Sequence, residues 1–312
     1  MNIAFNNHKP VLLEAISKYE SLISDGSNIF DGTFGGGGYS DYFLKSKTDV
    51  HIYACDLDQN AIDYYISNNS KSNKLQLVKS NFEDYISFFN SSFFDIIVAD
   101  LGYSSNQLDF SNRGFSYLKG DEVLDLRYNT DDDLPAYQKI RLLKTDRELS
   151  KVIFQYSGET FSSRIGKNLF AFISANNQVI YVSEIVKSIE ASIPKKFMHK
   201  RNAILSRVWQ ALRVWVNNEF DSLENFLVTS LDKLKPSGML MVTCFNSLED
   251  KIVTKFMRNA SKKDIVDDFG NTEQFFEIIT KKPITPSDLE IQNNIRSRSA
   301  TLRIIKKIGG LL

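Results

Sequence analysis

Short apolar segments alternate with helical patterns along the first third of the chain. The apolar segments end in polar or glycine-rich loops, and they lie at residues 28–34, 50–58, 74–80 and 93–100. Between them, residues 40–46 and 61–69 have helical character. Strands that alternate with helices are typical of a parallel sheet covered by helices. The pattern therefore predicts an α/β fold in which these four strands share one sheet.

This alternation stops after residue 103 and resumes after residue 206. The intervening stretch has helical patterns at residues 146–157 and 183–192, but no convincing buried strand. Because a structureless loop of about a hundred residues is improbable inside a compact domain, we expect a helical insertion. We accordingly divide the chain into a first core part at 1–103, an insertion at 104–206 and a second core part at 207–312.

The second core part begins with an amphipathic helix and continues with strands. The apolar face of the helix carries Val208, Ala211, Leu212, Trp215 and Val216, and its polar face carries Gln210, Arg213 and Asn217. Residues 236–245 follow a Pro/Gly turn and predict a strand, and residues 248–257 predict a helix. We expect residues 274–282 and 299–307 to pair antiparallel at the edge of the sheet.

Composition restricts the partners and the compartment. Basic and acidic residues balance at 38 each, so the net charge of the chain does not attract a polyanion. Any nucleic-acid surface must therefore be a local cluster of positive charge. Cys55 and Cys244 lie in predicted strands, which suits buried thiols in a reducing compartment. No cluster of metal ligands, no signal peptide and no apolar run of roughly 18 residues is visible. We therefore expect a cytoplasmic protein that binds no metal.

Four consecutive glycines, Gly35 to Gly38, follow the first predicted strand and precede the first helix. In an open α/β sheet this turn lies at the carboxyl ends of the strands, where ligands bind. Glycine lacks a Cβ, so a ligand can approach its backbone closely. The loop therefore predicts a site for a nucleoside-bearing cofactor, and a tight turn that binds nothing is the alternative.

Asp31, at the entrance of the glycine loop, bears on the choice of cofactor. NAD would place its pyrophosphate near this carboxylate, whereas the sulfonium of S-adenosylmethionine is a cation. Asp56 ends the second strand and can accept hydrogen bonds from ribose hydroxyls, with Asp58 either its substitute or a helix cap. Phe82 follows the third strand, where it lies against adenine or belongs to the core. These residues favour S-adenosylmethionine.

Asp100 ends the fourth strand and opens a D-x-x-Y pattern that is completed by Tyr103. This pattern is similar to the Asp-Pro-Pro-Tyr loop of enzymes that methylate exocyclic amino groups of bases. The nitrogen of such a group has a delocalised lone pair and is a poor nucleophile, so a carboxylate that accepts its N–H bonds would help to orient it. Tyr103 could stack on the base. Taken alone, so short a pattern is better explained by chance.

Motifs along nearly the whole chain resemble the RsmH (MraW) family of bacterial S-adenosylmethionine-dependent enzymes. Those enzymes methylate N4 of a cytidine in the decoding region of small-subunit (16S) ribosomal RNA. The matching motifs are HKPVLLEA from His8, DGTFGGGGYS from Asp31, DLGYSSNQLDFSNRGFSY from Asp100, LDLR from Leu124, WQALRVWVNNE from Trp209, LKPSGMLMVTCFNSLEDKIVTKFM from Leu234, and the terminal KPITPS and RSRSATLR.

The resemblance implies a fold, a site and a partner. The fold is the class I S-adenosylmethionine-dependent methyltransferase (Rossmann-like) sheet with a helical insertion that helps to bind substrate. Asp100 is the implied catalytic residue. The implied cofactor contacts are Gly37, Gly38, Tyr39, Asp56, Phe82, Asp100 and Gln107. The partner is small-subunit ribosomal RNA or the assembled small subunit. The oligomeric state is open, with a homodimer as one candidate.

The chain departs from the family pattern in three places. Tyr39 and Asn246 stand where the family usually has histidine, and the family's YGEE is YSGE at residues 156–159. We expect Tyr39 to contact the cofactor through its backbone, which tolerates the exchange. Two other function classes stay open on the residues alone. An NAD-dependent oxidoreductase is disfavoured by Asp31, and a noncatalytic RNA-binding protein is disfavoured by the presence of Asp100 and Gln107.

Local clusters of basic residues are the candidate RNA surfaces. The first cluster consists of Lys195, Lys196, His199, Lys200, Arg201, Arg207 and Arg213, and the second of Arg296, Arg298, Arg303, Lys306 and Lys307. A solvated helix face would explain either cluster in isolation, so their assignment to RNA depends on the family resemblance.

Overall fold

The structure is a computed structural model that describes residues 10–45, 49–70, 72–131, 134–265 and 272–309. His8 and Lys9, the start of the first family motif, lie outside these residues. The described residues form two compact units. The first, here called the sheet unit, contains residues 10–102 and 220–309, and the second, the helical unit, contains residues 103–219.

The described residues form nine β-strands. They are Ser27–Asp31 (β1), Val50–Asp56 (β2), Leu75–Lys79 (β3), Phe94–Asp100 (β4), Leu234–Cys244 (β5), Asp264–Ile265 (β6), Thr272–Glu273 (β7), Phe276–Ile278 (β8) and Thr301–Lys307 (β9). The four strands predicted in the first third of the chain are thus present, at slightly shorter lengths.

The α-helices of the first half are Leu13–Ser17 (α1), Gly38–Leu44 (α2), Gln59–Asn68 (α3), Phe82–Ser87 (α4), Ser105–Phe110 (α5), Ala136–Arg141 (α6) and Asp146–Ser157 (α7). Those of the second half are Ser162–Ala175 (α8), Val182–Ser192 (α9), Arg201–Val216 (α10), Glu219–Lys233 (α11), Ser247–Ala260 (α12) and Asp288–Asn293 (α13). Within the described parts of the chain, every helix is too short or too polar to cross a lipid bilayer.

Seven strands form one sheet in the order β3-β2-β1-β4-β5-β9-β8. The first five strands are parallel, and β9 runs antiparallel to both β5 and β8. The chain crosses from one half of the sheet to the other between β1 and β4, which is the switch point where doubly wound folds bind ligands. This arrangement confirms the predicted class I methyltransferase sheet and the antiparallel pair at its edge.

The sheet is buried on both faces, which explains the continuous apolar runs of its central strands. Along β4, Ile97 and Ala99 belong to one hydrophobic cluster, and Ile96 and Val98 belong to another. All four side chains are at most 1% exposed. Because successive strand residues point to opposite faces, the two clusters are the cores on the two sides of the sheet. Their burial fixes where the polar strand ends lie.

The helical unit has its own hydrophobic core, which includes Leu149 and Ile153 from α7 and Leu169 from α8. The residues predicted on the apolar face of α10 are buried or partly buried. Arg213, on the predicted polar face, is also buried, because its guanidinium forms an ion pair with Glu219 at 2.8 Å. The division that we predicted at residue 206 falls inside α10.

Candidate active site

Two of the four loop glycines are required by this chain's own packing. Gly37 has φ +80°, and a Cβ added there would lie 2.7 Å from Cε2 of Tyr65. A Cβ on Gly38 would lie 2.8 Å from Cδ of Pro10. In contrast, a Cβ on Gly36 would meet nothing within 4 Å. A Cβ on Gly35 would meet only the carbonyl oxygen of Thr33, at 3.9 Å. The free space beside this loop therefore lies at Gly35 and Gly36, while Gly37 and Gly38 let the loop fold against its neighbours.

Asp31 is fully buried at the end of β1. Its Oδ2 accepts a hydrogen bond of 2.7 Å from the hydroxyl of Ser40, and its Oδ1 accepts one of 3.3 Å from the backbone N–H of Thr33. Burial raises the pKa of Asp31 to about 6, although these hydrogen bonds oppose the increase. The carboxylate is therefore a costly buried charge whose ionisation a nearby cation would favour.

Asp56 ties the end of β2 to the glycine loop. Its Oδ2 accepts a 2.7 Å hydrogen bond from the N–H of Gly35, and its Oδ1 accepts one of 2.8 Å from the N–H of Asp58. Burial raises the pKa of Asp56 to about 6, with smaller opposing effects from these bonds. Asp58 caps α3 by accepting from the N–H of Asn60, which is the capping role considered for it.

Asp100 ends β4, the strand next to β1. Its backbone N–H donates to Oγ1 of Thr33 at 2.6 Å, which holds the end of β4 to the start of the glycine loop. The Oδ1 atom of Asp100 is buried and has no hydrogen-bond partner among the described residues. Because a buried carboxylate oxygen without a partner is costly, this atom indicates a ligand that donates a hydrogen bond or carries positive charge.

The surroundings of Asp100 are strongly acidic. Burial raises its pKa well above the usual range, and Asp31, Glu249 and Glu290 raise it further through their negative charges. Asp56 and Asp31 also repel each other. Among the described residues, no three His, Cys, Asp or Glu side chains are grouped so as to hold a metal ion. Such a site favours an organic cation and opposes a pyrophosphate.

Phe82 also borders the glycine loop. A Cβ added to Gly32 would lie 3.2 Å from Cβ of Phe82, and the Phe82 ring packs edge-on against Phe226 with centroids 4.7 Å apart. Asn81, the residue before it, caps α4 by accepting from the N–H of Glu83. The predicted residues of the sheet unit are therefore brought together around the residue 31–39 segment, at the carboxyl ends of β1, β2, β3 and β4.

The family model of the MraW methylase family matches residues 5–308. The chain belongs to this family. The ribosomal RNA small subunit methyltransferase H of Oenococcus oeni is 35% identical over 290 residues, which cover 89% of this chain and 91% of that protein. The protein of the same name from Rickettsia bellii is 36% identical over 312 residues, which cover 96% and 99%.

A crystal structure of an rRNA methylase from Streptococcus thermophilus aligns over 97% of this chain and 100% of its own chain, with a TM-score of 0.40 and 10% identity. That likeness is too low to support a conclusion. Membership in the MraW methylase family makes this protein a methyltransferase, as predicted from its motifs.

Tyr39 and Asn246, which replace the usual histidines of the MraW family, have local roles in the structure. The hydroxyl of Tyr39 is buried and donates to the carbonyl of Val11, so this side chain points into the protein. Asn246 caps α12: its Oδ1 accepts from the N–H groups of Leu248 and Glu249, each at 3.0 Å. Asparagine is among the best N-cap residues, so position 246 supports the helix without a histidine.

Gln107 belongs to the helical unit, whereas the other six predicted cofactor residues belong to the sheet unit. Its Oε1 accepts from the N–H of Ser104 at 2.9 Å, and its own N–H donates to Oγ of Ser104. This capping box fixes the start of α5. In the same unit, the guanidinium of Arg213 lies 4.7 Å from the centre of the Tyr103 ring and covers it. The cofactor role of Gln107 stays a prediction.

Sequence reasoning missed the residues that support these aspartates. The hydroxyl of Ser40 donates to Asp31, and that of Thr33 accepts from the backbone N–H of Asp100 at the end of β4. Both residues lie inside the motif that begins at Asp31. Glu249 is buried and accepts from the N–H groups of Phe245 and Asn246. The spacing of Ser40, two residues after Gly38, carried a usable signal, because a hydroxyl there can return to a strand-end carboxylate.

Proposed function

We propose that this protein methylates N4 of a cytidine in the decoding region of small-subunit (16S) ribosomal RNA. The methyl donor is S-adenosylmethionine. The observation that carries the proposal is the buried Oδ1 of Asp100, which has no partner among the described residues at the end of β4. The named relatives are small-subunit ribosomal RNA methyltransferases, which supports the choice of substrate.

The acidic strand ends fit the cofactor. Each oxygen of Asp56 accepts one backbone hydrogen bond, and a carboxylate oxygen has a further lone pair for a ribose hydroxyl. The free space at Gly36 leaves room beside the loop backbone. We place cofactor contacts at Gly37, Gly38 and Tyr39 through their backbones and at Phe82 and Gln107 through their side chains; these contacts are part of the proposal.

The chemistry needs little from the protein beyond position and charge. When bound, the sulfonium cofactor supplies a methyl group that is already activated for transfer. Asp100 accepts a hydrogen bond from an N–H group of the exocyclic amine of cytosine, which orients the nitrogen lone pair toward the reacting carbon. Its raised pKa also suits it to take up the proton that this amine loses. The same carboxylates would repel the negatively charged pyrophosphate of NAD.

The candidate RNA surface of the helical unit is smaller than its sequence suggests. Arg201, Arg207 and Arg213 form ion pairs with Glu190, Glu159 and Glu219, so their charges are largely neutralised. The lysines of residues 195–200 remain exposed. Two of them, Lys196 and Lys200, lie 5.0 and 5.9 Å from the centre of the Phe197 ring. Cations around an aromatic ring suit single-stranded RNA.

The C-terminal basic cluster is reduced in the same way. Arg303 forms a bidentate pair with Asp250, and the Nζ of Lys307 is buried and donates to the carbonyl of Leu234. Arg296 and Arg298 are exposed. A paired cytidine hides its amino group, so the target must be unpaired or flipped. We place the enzyme in the cytoplasm, and a homodimer stays one candidate assembly.

The proposal is tested by methyl transfer with purified components. The protein is incubated with labelled S-adenosylmethionine and either naked small-subunit RNA or the assembled subunit, and the RNA is digested to nucleosides. We expect label in N4-methylcytidine from one of the two substrates. Transfer to neither substrate, or label on a ring carbon, would contradict the proposal. Calorimetry with NAD in parallel should show no saturable binding.

A further inference from the structure

A cavity in the sheet unit is lined by residues other than those of the acidic strand ends. It has a volume of about 630 Å³ and is bounded by α12, by β8 and the residues after it, and by β9. Thr254 and Arg258 line it from successive turns of one face of α12, and Ser261 lines it from directly after the helix. Arg258 is nine residues beyond Glu249, which is roughly 13 Å along the helix axis.

The charges of this cavity favour an anion. Arg258 of α12 and Lys281 of the segment after β8 line it. Both are exposed, and neither has an ion-pair partner among the described residues. Arg303 also lines the cavity but is paired with Asp250, and Glu277 is an acidic member of the lining. Arg258 lies in the last turn of α12, where a positive charge is also favoured by the helix dipole. The helix dipole does not explain the positive charge of Lys281.

A hydroxyl group in the same cavity lacks a partner. The Oγ1 of Thr254 is buried without a hydrogen bond among the described residues, although a helical threonine can donate to the carbonyl four residues earlier. Met257, Ile278 and Ile308 supply apolar surface beside it. The cavity therefore combines two cations, an unsatisfied hydroxyl and an apolar wall in a volume suited to a small organic ligand.

We propose that this cavity binds one nucleotide of the RNA substrate, with its phosphate at Arg258 and Lys281 and its sugar or base against the apolar wall. The inference rests on the proposed function, because an RNA substrate makes a nucleotide the expected anion. The cavity is wider than inorganic phosphate requires, and its exposed members let a chain enter and leave. It would hold RNA outside the site of methyl transfer.

The test compares two double variants with the same loss of charge. Arg258→Ala/Lys281→Ala removes the cavity cations, and Lys251→Ala/Lys255→Ala removes two exposed lysines of α12 that do not line the cavity. Binding of a labelled single-stranded RNA from the decoding region is measured over a range of salt concentrations. Calorimetry with AMP and with S-adenosylmethionine, melting curves, and the KM and kcat of methyl transfer complete the comparison.

We expect the cavity variant to bind RNA at least about tenfold more weakly than the control variant. Its plot of log affinity against log salt should be shallower by about 0.7 for each phosphate that the variant no longer neutralises. The KM for RNA should increase, whereas kcat, cofactor affinity and melting temperature should stay unchanged. Equal RNA affinity in the two variants would overturn the inference. Loss of AMP binding with unchanged RNA affinity would also overturn it, because that result would assign the cavity to a free mononucleotide.

The binding measurements use neither cofactor nor methyl transfer. RNA that binds through this cavity but is not methylated by the unmodified protein would therefore contradict the proposed function and leave the cavity assignment standing. Methylation with no difference in RNA binding between the two variants would contradict the cavity assignment alone.

Discussion

Asp31, Asp56 and Asp100 each end a strand of the sheet, and burial raises the pKa of all three. A protein selected for stability alone would neutralise or pair such groups, because each buried charge costs free energy. Ser40 and Thr33 instead hold these strand ends in place while leaving Oδ1 of Asp100 without a partner among the described residues. Strained electrostatics of this kind are expected at functional sites.

Replacing Asp100 by asparagine tests the acceptor role. The side chains have the same shape, so the fold should persist, but the amide loses the charge and adds donors toward the amine. We expect the single-turnover rate of methyl transfer with saturating cofactor to fall at least about a hundredfold, or roughly 2.7 kcal/mol. Cofactor affinity, measured by calorimetry, should fall less. A folded variant with a normal saturated rate would restrict Asp100 to cofactor binding.

Cofactor affinity should depend on pH through Asp31 and Asp56, whose pKa values burial raises to about 6. A bound sulfonium favours their ionised forms and lowers both pKa values, so binding should release protons near pH 6. Affinity should therefore increase as the pH rises from about 5 to about 7. Calorimetry in two buffers with different ionisation enthalpies measures the released protons. Affinity that is constant across this range would show that the carboxylates do not sense the cofactor charge.

Among the elements, the glycine loop separates structural from functional requirements. Gly37 must be glycine because of its positive φ and the nearby ring of Tyr65, which is fixed by a 2.6 Å hydrogen bond to Asp41. Gly36 has neither constraint. The sequence predicted that the four glycines serve a close approach, but it could not show that for Gly37 and Gly38 the neighbours are Tyr65 and Pro10.

Alanine substitutions at Gly36 and Gly37 should therefore affect different properties: Gly37→Ala the stability, and Gly36→Ala the cofactor affinity. Gly37→Ala should lower the free energy of unfolding by about 2–4 kcal/mol, because it adds backbone strain and a clash. Gly36→Ala should change it by less than about 1 kcal/mol, yet weaken cofactor binding at least tenfold, since its methyl group occupies the free space. Denaturant titration and calorimetry measure both. Wild-type cofactor affinity in Gly36→Ala would remove this backbone from the proposed site.

Strand and helix positions were predictable because their hydrophobic periodicity is local. The helix predicted at residues 146–157 is α7, and the strands ending at Asp56 and Asp100 end where the apolar runs stop. Ion pairs were not predictable, because Arg207 meets Glu159 and Arg303 meets Asp250 from positions about fifty residues away. The basic clusters therefore looked larger in sequence than the charge that the fold leaves exposed.

At the scale of the whole molecule, a net charge of zero conceals two opposite local fields. Carboxylates gather at the carboxyl ends of the strands, and exposed lysines gather at residues 195–200. An enzyme that binds a cationic cofactor and a polyanionic substrate needs this separation. The family resemblance was required to connect the two, since neither the acidic strand ends nor the lysine segment identifies a nucleobase by itself.

The most direct measurement is mass mapping of small-subunit ribosomal RNA from cells with and without this protein. The account predicts that one cytidine of the decoding region carries a methyl group on N4 in cells with the protein and loses it in cells without it. The modification should return when the intact protein is supplied, and not when the Asp100→Asn variant is supplied. An unchanged methylation pattern in the absence of the protein, or a lost methyl group at another atom or in another RNA, would contradict the central claim.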